Sequence, residues 1–200
     1  MEDAIQAQIV ALKKGQILDS ATQVFAEKGF HKATIKDIAK VAGIADGTVY
    51  NYFENKTALL LGILDRLNES EQREVDLGGG MDGDFRAFFV RYLRHRLDVV
   101  FDNADIFRAI LPELLVNAEL RETYYNEVIA PTMTLAEAMF AERMSGGQMR
   151  QTNPALATQI LAGTVFGLLN LYLLGAEEIA SQRDEMAEVI ATMVWDGLGK

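Results

Sequence analysis

Residues 34–56, TIKDIAKVAGIADGTVYNYFENK, leave little choice of local fold. Ile35, Ile38, Ala39 and Ala42 recur at helical spacing, and Val49, Tyr52 and Phe53 do so again after a break. Thr34, with Asp37 three residues on, predicts an N-cap and an approximate capping box. Gly43 stands where the first helix must stop, because only glycine enters the left-handed conformation without strain. Ala45 or Asp46 opens the second helix. Two helices joined by a short turn containing Gly form a helix-turn-helix, whose second helix can lie in a DNA major groove. Such a pair cannot bury enough surface alone. Ile17, Leu18, Ala21, Val24 and Phe25 supply the apolar stripe of a third helix, which Gly29 ends. Residues 1–12 read as a frayed lead-in, with Lys13 and Lys14 at the start of the first full helix, either touching phosphate or solvated.

The net charge of −10 argues superficially against a polyanionic partner, but the charge is unevenly distributed. Residues 1–60 hold seven Lys against seven Asp and Glu, whereas residues 61–200 hold twelve basic against twenty-two acidic residues. Every Lys except Lys200 lies at or before Lys56. A basic end on an acidic body suits a polyanion binder, since repulsion from the body orients the approach. The absence of Cys excludes disulfides and thiolate metal sites and suits a reducing cytoplasm. The N-terminus, MEDAIQAQ, carries no secretory h-region, so a cytoplasmic location is expected.

The rest of the chain reads as helices between breakers. Asn55 caps a helix bearing Leu59, Leu60, Ile63, Leu64 and Leu67. The run from Gly78 to Gly83 reads as a loop between helices or a domain linker. Asp84 to Asp102 is a long helix, with Asp84, Ala87, Arg91, Arg94, Asp98 and Asp102 on a solvated face. His95 lies on the Phe88–Tyr92–Val99 row, as a polar handle in a pocket or as a hydrogen-bonded core residue, and Arg96 is ambiguous in the same way. A short apolar helix carries Pro112. A longer one, Leu120 to Ser145, is interrupted at Pro131, with Tyr124, Val128, Leu135, Met139 and Phe140 inward. Asn153 and Pro154 start a stretch whose residues Ala155 to Ala176 contain no charge. That length could cross a bilayer. Thr158, Gln159, Thr164 and Asn170, with no basic flanks, weigh against lipid and favour burial on all sides. Met186, Val189, Ile190, Met193 and Val194 line one face of the last helix.

The pattern Thr34-x-x-x-Ile38-Ala39-x-x-Ala42-Gly43, then Gly47-Thr48-Val49-Tyr50-x-Tyr52-Phe53-x-Asn55-Lys56, resembles the DNA-binding domain of the tetracycline-repressor (TetR) family, over about Gln8 to Leu67. The remainder resembles that family in size, helical content and punctuation. The resemblance implies an all-α fold, with a DNA-binding domain over residues 1–54 and a helical effector-binding and dimerisation domain over 55–200. It implies a homodimeric repressor of double-stranded operator DNA, released by a small-molecule effector that displaces the helix from Asn55. No cofactor, metal or membrane is called for.

Thr34, Thr48, Tyr50, Tyr52 and Lys56 match family positions that contact DNA, mostly its backbone, and Lys36 is a further candidate. Asp46 replaces Ala45 as the helix cap, or accepts from a cytosine amino group. Gly47 contributes close approach. An apolar or amphipathic effector is expected among Phe88, Tyr92, His95, Tyr124, Val128 and Met139, where two prolines spoil flush packing. The opposing expectation is an ordinary core with Met as filler. The string Ala-Asp-Gly-Thr-Val-Tyr resembles members that respond to fatty acyl-CoA. Gly163, Gly167, Asn170, Met186, Val189, Ile190 and Met193 are expected at a two-fold four-helix interface.

Two other classes fit less well. An all-helical enzyme would need a catalytic constellation, yet His31 and His95 are the only histidines and no catalytic or nucleotide-binding motif is present. A DNA-architectural protein would not need the long C-terminal part.

Overall fold

The computed structural model describes residues 2–70, 72 and 84–198, and every regular element among them is helical. In chain order they are α1 (Glu2–Lys28), α2 (Ile35–Ala42), α3 (Asp46–Tyr50), α4 (Lys56–Asn68), α5 (Phe85–Asp102), α6 (Ala104–Val116) and α7 (Ala118–Tyr124). A single π turn, Tyr125–Ile129, leads into α8 (Ala130–Ser145), followed by α9 (Pro154–Leu173), a 3₁₀ turn (Glu177–Gln182) and α10 (Arg183–Leu198). The glycine-rich loop expected at Gly78–Gly83 lies outside the described residues.

The chain divides into two compact units, Met1–Arg66 with Asp105–Tyr125, and Leu67–Ala104 with Asn126–Lys200. The first unit thus takes in α4 as far as Arg66 and residues 105–125 as well as residues 1–54. α1–α3 bring too little apolar surface for a core of their own, and α4 and α6 add to it. Leu59, Leu60 and Ile63 of α4 are fully buried, as is Ile110 of α6.

Within the first unit, α1 runs unbroken from Glu2, which corrects the frayed lead-in. The segment EDAIQAQIVALKK is rich in strong helix formers and holds no Gly or Pro. Lys13 is thus mid-helix, and its ammonium donates to Gln16 Oε1 at 3.0 Å. Gln16 Nε2 in turn donates to Ala42 O at 2.8 Å, joining α1 to an otherwise unsatisfied carbonyl at the end of α2. The capping box forms as expected: Asp37 N donates to Thr34 Oγ1, and Thr34 N donates to Asp37 Oδ2, both at 3.1 Å. Gly43 closes α2 at φ 65°. Gly62 serves close approach instead, since a Cβ there would stand 3.0 Å from Leu18 Cδ2 and 3.2 Å from Phe53 Cε1.

Asp37 also accepts from Lys28 Nζ at 2.7 Å. The bond to Lys28, then those to Thr34, hold its carboxyl down from 3.8 to about 2. A depressed folded-state pKa stabilises fully above the unfolded value and is lost as pH falls through the folded one. Asp37 therefore contributes a loss of stability between about pH 4 and pH 2. Asp37→Asn should lower stability at neutral pH and flatten that part of an acid-denaturation profile.

In the second unit, α5 packs against α10, and α8 against α9. Phe89, Leu93 and Leu97 of α5 join Phe140 of α8 and Ala187 and Ala191 of α10 in one buried cluster. The polar face expected to be solvated on α5 is partly tied down. Arg183 Nη1 bonds Asp98 at 3.1 Å and Asp102 at 2.7 Å, and Arg94 pairs with Asp184. Those bonds, with Asp102 first, raise the Arg183 pKa. Pro112 lies inside a continuous α6. The break expected at Pro131 comes earlier, as the π turn. Pro131 has no N–H for Glu127 O, and a widened turn before it accommodates its ring.

α9 departs furthest from expectation. It is long and apolar enough to cross a membrane, yet only 11% of its most apolar 18-residue window is buried within the protomer. Leu156, Ile160, Phe166 and Leu171 of α9 are exposed, and Leu174, just beyond it, is 85% exposed.

Candidate nucleic-acid interface and effector region

α2 and α3 form the helix-turn-helix, with Ile38, Ala39 and Val49 at 0% exposure holding the two helices together. α3 is short, and Val49 is its buried residue. Asp46, Gly47 and Tyr50 lie exposed, Thr48 is half-buried, and Tyr52 sits half-buried in the turn beyond. Ala45 is the N-cap and makes no side-chain bond, so the cap does not shift to Asp46. Asp46 is instead the first helical residue, where its charge complements the helix dipole.

Two expected phosphate donors are engaged inside the protein. The Thr34 hydroxyl donates to Asp37 Oδ2 at 2.8 Å while accepting from Asp37 N. Lys56 Nζ donates to three backbone carbonyls, Phe30 O at 2.5 Å, Ala33 O at 3.1 Å and His31 O at 3.2 Å. It also sits 4.4 Å from the centre of the Phe30 ring. Burial lowers its pKa, opposed by the charge of Glu113. Lys56 thus fastens the start of α4 to the α1–α2 turn. Lys32, Lys36 and Lys40 are exposed, and Lys36 and Lys40 stand one turn apart on α2. Sequence reasoning singled out Lys36 alone, although the four-residue spacing was there to be read.

The head also engages α6, which no sequence signal indicated. Glu113 is 5% exposed, and its Oε1 lies 2.6 Å from His31 Nε2. A polar cleft of about 350 Å³ lies in the same unit, lined by residues of α4 and α7 and their caps, including Glu54, Asn55, Thr57, Asn117, Glu119 and Thr123.

The six residues expected around an effector are shared between the two units. Phe88 stacks on Tyr92 at 6.0 Å between centroids, and both pack on the cluster that holds Met139. Val128 is buried beside a polar node, its carbonyl 3.4 Å from Asn68 Nδ2 and 3.2 Å from Thr132 Oγ1. Tyr124 belongs to the first unit. His95 is neither core nor apolar wall: its side chain is 50% exposed and its Nε2 lies 2.8 Å from Glu69 Oε2. Arg96, next to it, is the buried one.

The residues expected at a dimer interface divide similarly. Gly163 is exposed and Gly167 half-exposed, with nothing within 4 Å of a Cβ built on either. Val189 and Met193 are exposed. Ile190 instead faces its own protomer's core at 8% exposure, and Met186 packs against that core. Asn170 is half-buried, and its amide donates to Phe166 O at 2.8 Å.

Comparison with known proteins bears on both regions. Residues 17–63 match the family described as bacterial regulatory proteins, tetR family, and residues 87–195 match the C-terminal domain of AefR-like transcriptional repressors. The fatty acid metabolism regulator protein of Bacillus subtilis (strain 168) is 29% identical over 156 residues, covering 75% of this chain and 78% of that one. The transcriptional regulator UidR of Escherichia coli (strain K12) is 27% identical over 158 residues, covering 77% and 78%. The crystal structure of the transcriptional regulator FadR from Bacillus subtilis, in complex with stearoyl-CoA, superposes with a TM-score of 0.73 at 24% identity, covering 88% of this chain and 96% of that one.

Proposed function

The chain belongs to the tetR family of bacterial regulatory proteins, and from that premise we propose a homodimeric repressor that leaves its operator when an effector of the long-chain fatty acyl-CoA class binds. It is a ligand-responsive transcriptional regulator and not an enzyme. The observation that carries the reading is the exposed face of α3, set on a buried Val49 and flanked by the exposed lysines of α2. Hydroxyls and ammonium groups on such a face suit phosphate oxygens and fix register. Thr48, Tyr50, Lys36 and Lys40 are proposed as these donors, with Tyr52 at the edge. Asp46 and Gly47 face the bases.

The exposed face of α9 supports the dimer. An apolar helix face in water needs a cover, and in a homodimer the cover is the same face of a second copy. Leu156, Ile160, Gly163, Gly167 and Leu171 run down that face, with Val189 and Met193 of α10. The effector class is supported by the likeness to a fatty acid metabolism regulator and to a structure holding stearoyl-CoA. A cytoplasmic location accords with this function.

Selection from random DNA followed by footprinting tests the reading. Each dimer should protect two inverted half-sites about one helical turn apart, roughly 34–36 Å. Failure to enrich any sequence, or a single unpaired footprint, would contradict it.

A further inference from the structure

The end of α4 is held by an ion cluster. Glu69 Oε2 lies 2.6 Å from Arg96 Nη1 and 2.8 Å from His95 Nε2. Arg96 Nη2 donates to Leu67 O at 3.0 Å, in the last turn of α4. The Arg96 side chain is 8% exposed, that of Glu69 29%, and that of His95 50%. Among the described residues Glu69 is the one non-glycine with positive φ, at 52°.

We propose that Arg96 and His95 form an oxyanion-recognition site, that Glu69 fills it in this conformation, and that a phosphate or carboxylate of the effector takes the site by displacing Glu69. A buried guanidinium requires an anion beside it. A guanidinium fork can bind two oxygens of one oxyanion. Glu69 Oε2 accepts from one arm of the Arg96 fork, and Leu67 O accepts from the other. A phosphate can accept from both arms. His95 opens the cluster to solvent, so an anion can reach the site without the core opening. The left-handed backbone at Glu69 is strained for any non-glycine residue, and a backbone shift that carried Glu69 away from Arg96 would relieve that strain. Exchange would also free Leu67 O, and with it the last turn of a helix whose first residue braces the DNA-binding head. The proposal rests on the effector reading above only for the identity of the molecule that carries the anion.

The test uses the full-length protein and calorimetric titration at fixed ionic strength. Inorganic phosphate should bind Glu69→Gln at least tenfold more tightly than wild type, and Glu69→Gln combined with Arg96→Gln should lose that gain. Glu69→Gly, which accepts the left-handed backbone, should behave as Glu69→Gln and serves if the latter folds poorly. Stearoyl-CoA should bind Glu69→Gln at least fivefold more tightly than wild type, while 1-octadecanol, which has no charge, should show no difference. Phosphate binding equally to wild type and both Glu69 variants would overturn the proposal. Stearoyl-CoA binding equally to wild type and variant would overturn it too. Phosphate binding to the variant with no stearoyl-CoA binding at all would uphold the anion site and overturn the acyl-CoA reading instead.

Discussion

Ile160→Arg is expected to leave the protein monomeric at micromolar concentration, with its helical content unchanged. Ile160 is 70% exposed in the protomer, so the change costs the isolated chain little. At a two-fold interface each substitution counts twice, once from each copy. Losing one buried isoleucine and placing a charge there costs about 2 kcal/mol per side. The pair then weakens association by about 4 kcal/mol, roughly a thousandfold. Gly167→Leu is the steric counterpart, since a Cβ at that position meets nothing within the protomer but would hold two helices apart. Sedimentation velocity reads both variants. A dimer that survives Ile160→Arg would remove α9 from the interface. Operator affinity should fall with the dimer, because a monomer occupies a single half-site.

Lys56→Met should destabilise the head by about 2–3 kcal/mol, because it removes a charged donor from three carbonyls. Operator binding should weaken on all sequences alike, through loss of the folded head. The slope of log K against log salt should stay unchanged where the variant remains folded. Lys36→Ala should do the reverse, leaving stability intact and lowering that slope by about 0.9 per protomer. Urea unfolding monitored with salt-dependent binding separates the two. A slope that falls by a full unit in Lys56→Met would restore this lysine to the phosphate contacts.

These contrasts mark how far the sequence could be read. Caps were legible because they are local. Thr34 with Asp37, Gly43 and Asn153 each act within a few residues, and each forms as expected. The reading head was legible for the same reason, since its helices and turn occupy one continuous stretch. The internal bonds of Lys56 were not legible because its acceptors lie 23 to 26 residues away, and no local pattern announces them. His31 with Glu113, and Glu69 with Arg96, are hidden in the same manner.

Helical phase explains the other differences. In α10 apolar residues lie on both faces, so periodicity could not separate Ile190, turned inward, from Val189 and Met193, turned outward. In α5 His95 and Arg96 are adjacent, and which of the two is buried depends on the rotation of the helix against its neighbours. α9 taught the converse. A helix apolar all round was expected to be covered, and among the described residues most of it is left uncovered. The effector region was the least legible, because a cavity depends on how helices fail to meet rather than on any residue's own preference.

The most direct test of the account is a titration of stearoyl-CoA into a preformed complex of the protein with its selected operator, followed by fluorescence anisotropy of the labelled DNA. Stearoyl-CoA should release the DNA from a complex of two protomers, at concentrations that do not unfold the protein, and CoA alone should release none. A complex that keeps its anisotropy while native mass spectrometry shows stearoyl-CoA bound to it would contradict the claim that ligand and operator compete for different states of this protein.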